Sequence, residues 1–107
     1  MEKLTGSEVA ERSWCDVNLT KILWVKDGRD LILKWDLHNN KKGILKCSWA
    51  HSITINLVTS KNEGGFLLTF GAKFQQQVRG WEVEFNFASK GIIKFECNEL
   101  ILETKKC

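Results

Sequence analysis

From Val17 onward, large apolar side chains recur at every second position, and that period confines the chain to extended strands. Leu31, Leu33, Trp35 and Leu37 alternate with Asp30, Ile32, Lys34 and Asp36. Leu45, Cys47 and Trp49 alternate with Lys46 and Ser48, and Ile53, Ile55 and Leu57 with Ser52, Thr54 and Asn56. Trp81, Val83, Phe85 and Phe87 do the same with Glu82, Glu84 and Asn86. Successive strand residues point to opposite faces, so each run collects its large side chains on one side of a sheet.

Turn chemistry separates the runs. Asp27-Gly28 lies between Val17–Lys26 and Arg29–Leu37 and tolerates the positive φ angles of a tight hairpin. Asn39 to Gly43 reads as a longer connection, and Ser60 to Gly65 as the turn that opens a strand over Phe66–Phe70. Lys90-Gly91 joins Trp81–Ser89 to Ile92–Cys97, and Asn98 marks a bend before Glu99–Glu103. With no proline in the chain, no strand is barred from a central position on that ground.

Three stretches break the pattern. Val17 and Leu19 fall on one face but Ile22 and Trp24 on the other, which a bulge near Lys21 reconciles; a central strand covered on both sides is the alternative. Gly71 to Gly80, with Gln75-Gln76-Gln77 inside, reads as a polar loop with a turn of helix. Residues 1–13 are poorly patterned, although Thr5 and Glu8 have capping-box spacing for a short helix within 5–14. The predicted fold is therefore all-β: an antiparallel sandwich or strongly curved sheet of seven to eight strands, with a short N-terminal helix packed on it. A length of 107 residues suits one domain over 1–107. No internal repeat is visible.

The formal charge of +3, with both signs interspersed, is too small to predict nucleic-acid or membrane binding. Lys41–Lys42 and Lys105–Lys106 read as a solvated turn and tail. No run approaches the roughly 18 apolar residues of a membrane span, and the N-terminus lacks the apolar core of a secretion signal. The expected setting is the cytosol. Cys15, Cys47, Cys97 and Cys107 form no C-x-x-C pair, so no metal or cofactor is expected. Cys47 and Cys97 lie within apolar alternation and read as small buried hydrophobes. A disulfide framework is the weaker reading.

Chemistry is sparse. His38 precedes a turn and His51 lies between strands, positions typical of surface histidines. Neither belongs to a local motif with a cysteine nucleophile. Gly64-Gly65 lacks the strand–loop–helix context of a phosphate cradle and reads as a turn. Glu82 and Glu84 point the same way on one strand, roughly 7 Å apart, as expected of a solvated face. No catalytic residue is assigned. Among the five tryptophans, Trp35, Trp49 and Trp81 fall on apolar faces and are expected in the core. Trp14 and Trp24 are the candidate interface residues, because exposed tryptophan marks binding surfaces.

Cys15-Asp16 before the first strand, the Asp27-Gly28 hairpin into Leu31-Ile32-Leu33, and the closing Phe95-Glu96-Cys97-Asn98-Glu99-Leu100-Ile101 together resemble a group of small bacterial β-rich domains. That group includes immunity-type proteins encoded beside toxins, and the resemblance covers residues 14–104. It departs from the pattern where Cys15 replaces the histidine that commonly precedes the aspartate, which puts any role of that leading pair in doubt. The resemblance implies a non-enzymatic protein that binds and blocks a protein partner. With no catalytic set and with Trp14 and Trp24 as interface candidates, the expected function is that of a non-enzymatic module binding another protein, toxin neutralisation being its narrower form, either monomeric or paired through a sheet edge. The alternatives are a small-ligand or nucleic-acid binder, which needs an exposed aromatic beside Lys21, Lys26 or Lys34, and a small enzyme built on His38 or His51.

Overall fold

The computed structural model describes residues 2–58 and 68–106. Two antiparallel sheets face each other. The chain runs β1 (Glu2–Thr5), α1 (Ser7–Glu11), β2 (Asn18–Val25), β3 (Asp30–Asp36), β4 (Lys41–Ser48), β5 (His51–Leu57), β6 (Gly71–Gln77), β7 (Gly80–Asn86), β8 (Gly91–Cys97) and β9 (Glu99–Lys106). One sheet has the order β1-β9-β4-β3-β2 and the other β5-β8-β7-β6. This is the all-β sandwich that the alternation predicts.

Inward positions of both sheets meet in one core. Leu31, Leu33, Trp35, Leu45, Leu100 and Leu102 come from the first sheet; Val83, Phe85, Ile93 and Phe95 from the second. Phe85 is central, with ring centroids 4.9 Å from Trp35, 5.3 Å from Trp14 and 5.7 Å from Phe74. Such tilted and edge-on pairs are favoured by the ring quadrupoles.

The topology has an internal two-fold character. The hairpin β3–β4 pairs Leu31 with Cys47, Leu33 with Leu45 and Trp35 with Gly43. Fifty residues later, β7–β8 pairs Trp81 with Cys97, Val83 with Phe95 and Phe85 with Ile93. Each hairpin turns through one short 3₁₀ segment, His38–Asn40 or Ala88–Lys90. Each segment is closed by a 2.8 Å backbone bond, Leu37 N–H to the Lys41 carbonyl or Phe87 N–H to the Gly91 carbonyl. After β4 the chain crosses to the second sheet as β5, beside β8; after β8 it crosses to the first sheet as β9, beside β4. No repeat was expected from the sequence, because between 30–49 and 80–99 only the cysteine at 47 and 97 is shared. Strand register needs a matching period of apolar positions, and it does not need matching residues.

The bulge expected near Lys21 falls between Leu19 and Lys21. Beyond it, Ile22 opposes Leu33 and Trp24 opposes Leu31, so both return to the inner face. The hairpin at 26–29 differs by one residue from expectation. Lys26 and Asp27, with φ of 54° and 57°, take the left-handed positions, and Gly28 N–H donates to the Val25 carbonyl at 3.2 Å. The predicted helix forms over Ser7–Glu11, with the Glu8 carboxylate accepting from Thr5 N–H at 3.3 Å, while Gly6 occupies the N-cap.

Other expectations are corrected. The segment 71–80, read as a polar loop, contains edge strand β6, paired with β7 from Gly71↔Asn86 to Gln77↔Gly80. An edge strand with solvent on its outer face needs few apolar anchors; here Ala72 and Phe74 pack against the core. Asn39 to Gly43 is no long connection, since β4 begins at Lys41. The N-terminal residues Glu2–Thr5, which carry no clear alternation, pair with β9. The Ser60–Gly65 turn and Gly64-Gly65 lie outside the described residues. Of the strand expected over 66–70, Leu68 forms one isolated bridge with Asn18.

A corner surface around Trp49

The tryptophans sort differently from expectation. Trp35 is in the core and Trp81 packs beside it, but Trp49, expected inside, is 56 % exposed. The alternation that places Trp49 inward ends at Ser48, where the chain leaves the sheet to cross over, so its register no longer governs Trp49. Trp14, a candidate interface residue, is 4 % exposed and belongs to the core. Its indole N–H donates to the Val9 carbonyl at 3.0 Å, tying α1 to the sandwich. Trp14 therefore offers no surface to a partner. Trp24 is 52 % exposed, because β2 lies at the edge of its sheet.

Trp49 is built into a specific geometry. Its φ is 54°, a left-handed backbone rare for a bulky side chain. The Trp49 N–H donates to Asp30 Oδ1 at 3.3 Å, and the Arg29 guanidinium lies 4.9 Å from the ring centroid. Arg29 also holds Asp30 with two bonds, Nε to Oδ1 at 3.1 Å and Nη2 to Oδ2 at 3.4 Å, while Lys26 Nζ stands 3.4 Å from Oδ2. Ala50 N–H donates to the Arg29 carbonyl at 2.9 Å, fastening the crossover to the 26–29 hairpin. Asp30 is thus the hub of this corner. Beside it opens a groove of about 570 Å³, lined by Asp27, Arg29, Trp49, His51 and Asn98 among others.

Hydrogen bonding to Arg29, aided by the Trp49 N–H and Lys26, holds the Asp30 carboxyl below its ordinary range. A carboxylate with a depressed folded pKa stabilises the fold above its unfolded pKa, and that contribution is lost as pH falls through the folded value. Asp30→Asn is therefore expected to be less stable than the parent at pH 7, with the difference shrinking as pH is lowered below about 4. Urea midpoints of both proteins from pH 7 to pH 2.5 check this. A gap that widens on acidification would contradict it.

The remaining sequence candidates lie elsewhere or take other partners. His38 is exposed, with Nε2 2.9 Å from the Cys15 carbonyl. His51 is exposed at the groove, with Nδ1 3.0 Å from the Trp49 carbonyl and Nε2 4.0 Å from Glu96. Glu82 faces outward and pairs with Lys94 at 3.3 Å. Lys21 opposes Lys34 on the outer face of the first sheet, whereas Trp24 turns to the inner side of the same strand. The aromatic-beside-lysine arrangement required for base stacking is therefore not made by Trp24 with Lys21 or Lys34, whereas Lys26 shares the Asp30 carboxylate with the N–H of the exposed Trp49. Among the described residues no group of three or more His, Cys, Asp or Glu could hold a metal ion, and no helix is long and apolar enough to cross a membrane.

The Trp49 corner had one signal in the sequence, an Asp-Gly hairpin followed by an apolar run ending in Trp-Ala-His, but nothing local says that the hairpin and the crossover touch. No known protein family and no curated protein matches the sequence. The fold does have a solved counterpart. The crystal structure of an uncharacterized protein from Neisseria gonorrhoeae is similar over 100 % of both chains, with a TM-score of 0.63 and 16 % identity, a likeness of fold.

Proposed function

We propose that this chain is a non-catalytic binding protein that engages a protein partner through its exposed tryptophans, Trp49 with Arg29 at the corner and Trp24 on edge strand β2. The single observation behind this reading is Trp49, an exposed bulky residue kept in a left-handed backbone. Such a conformation costs on the order of 1–3 kcal/mol and persists where the surroundings over-determine it. Here Asp30 and Arg29 do so, at the expense of presenting the indole to water. Tryptophan and arginine are the residue types that dominate protein–protein hot spots, and the Arg29 stack fixes the ring before any partner arrives, which lowers the entropy lost on docking.

Toxin neutralisation is the finer form of this reading, supported by the resemblance of the Cys15-Asp16, Asp27-Gly28 and 95–101 segments to immunity-type domains. Such a protein occupies its target by surface complementarity and needs no acid–base pair. The test is calorimetric titration against the protein encoded by the adjacent reading frame. Trp49→Ala is expected to weaken binding by roughly 30-fold or more, as for a hot-spot truncation, without lowering the thermal midpoint. Equal affinity of the parent, Trp49→Ala and Trp24→Ala would remove the corner from the interface. No binding by the parent would refute the toxin-neutralising form.

A further inference from the structure

Between the matching hairpins 30–49 and 80–99, Cys47 and Cys97 occupy the single position that shares a residue. Cys47 is on β4 of the first sheet and Cys97 on β8 of the second, and both thiols are free and buried in the common core. The chain changes sheets just after each of them. The residues that follow are in direct backbone contact, Asn98 N–H donating to the Ser48 carbonyl at 2.8 Å. The two side chains thus enter the common core from opposite sheets, each one residue before the Ser48–Asn98 backbone contact. Adjacent backbone is the condition for closing a disulfide, whose Cα atoms stand roughly 4.4–6.8 Å apart.

We propose that Cys47 and Cys97 are an inter-sheet disulfide site, closed by a small-molecule disulfide of the glutathione type while the chain folds. One cysteine thiolate attacks a sulfur of glutathione disulfide, forming a mixed disulfide and releasing one glutathione. The second cysteine then attacks the protein sulfur of that mixed disulfide, forming the Cys47–Cys97 bond and releasing the second glutathione. Two protein thiols are oxidised, and their two electrons and two protons leave with the two glutathiones.

Burial, and secondarily the hydrogen bond from Cys97, push the Cys47 thiol well above its usual pKa. The native core therefore keeps it protonated and unreactive, and exchange belongs to the open chain. Once formed, the bond closes a loop of about 50 residues, for which restriction of the unfolded chain stabilises strongly. It also fixes both crossovers, including the one that carries Trp49. The site is independent of what the Trp49 corner binds.

The experiment uses the Cys15→Ser/Cys107→Ser protein, which retains only the two core thiols. It is unfolded in urea and refolded with excess glutathione disulfide, or with dithiothreitol. After oxidative refolding, the expected product is a monomer without titratable thiols, whose digest contains a peptide pair linked through Cys47 and Cys97. Its unfolding constant should be roughly 1,000-fold smaller than that of the reduced form. Folded reduced protein should resist the same oxidant. Two free thiols after oxidative refolding, stable glutathione adducts, a cross-linked dimer, or a linked monomer no more stable than the reduced protein would each overturn the proposal. Adding Cys97→Ala should abolish the redox dependence of the unfolding midpoint, and persistence of that dependence would also refute it. Should this variant fail to fold, the oxidised and reduced forms of the two-thiol protein decide alone.

Discussion

Gly91→Ala is expected to cost about 4 kcal/mol, near the top of the range for single substitutions. Gly91 opens β8 with φ of +118°, a conformation L side chains rarely adopt, and it pairs with Leu57 of β5. A Cβ there would run into the Asn56 carbonyl oxygen, and would stand 2.9 Å from the Asn56 carbonyl carbon and 3.2 Å from Leu57 Cα. These are backbone atoms held in a sheet ladder, so no side chain can turn aside to make room. Strain and ladder disruption act together. The internal two-fold supplies the control: Lys41 holds the corresponding place in the first half, with φ of −94°. Lys41→Ala should stay within about 0.5 kcal/mol of the parent, as surface substitutions do. Thermal unfolding reads both, with a fall of roughly 15 °C or more expected for Gly91→Ala. A midpoint within 3 °C of the parent would mean that the β5–β8 approach is not as tight as described.

Phe85→Ala should be nearly as damaging, at about 3–5 kcal/mol. The side chain is fully buried, and its ring touches aromatics from three sources: Trp14 of the N-terminal segment, Trp35 of the first sheet and Phe74 of the second. Truncation removes these contacts and leaves a cavity that the packed rings cannot fill without leaving their rotamers. Since domains of this size are stable by roughly 5–15 kcal/mol, a large part of the total would go. Urea unfolding followed by tryptophan emission measures it, because Trp14 and Trp35 lose a neighbour. Phe85→Leu, which keeps most of the volume, should cost well under half as much. A loss below 1 kcal/mol for the alanine variant would show that the three elements do not converge on this ring.

Much of this architecture is legible along the chain, and the reason is local. Period-two runs such as Leu31-Leu33-Trp35 and Val83-Phe85-Phe87 need no information from elsewhere to declare which face is buried. The same holds for the bulge beside Lys21, where the apolar parity changes, and for Glu8, which reaches back to Thr5. The misreadings share a cause as well. Strand β6 lies at a sheet edge, so Gln75, Gln76 and Gln77 can stay in water without cost, and its sequence resembles a loop. Strand β1 is held by β9, nearly a hundred residues away.

The candidate binding corner was the least legible part. Uncertain parity marks Trp24 in the sequence, and the structure leaves it half in water. Trp14 carries the same mark, but α1 and the second sheet close over the indole. The alternation that points Trp49 to the core stops one residue before it.

Dihedral preference and period are local properties, so they declare that the chain forms extended strands and which face of most strands is buried. That β4 and β8 each hand the chain to the opposite sheet follows from the packing of the two layers. That exchange brings Asn98 against Ser48, beside Cys97 and Cys47, whereas Arg29 meets Trp49 where the β3–β4 register runs on past Leu31 and Cys47. The contact between sheets joins residues that strand periodicity treats as unrelated, since it is set by how two twisted layers pack and not by any neighbouring residue.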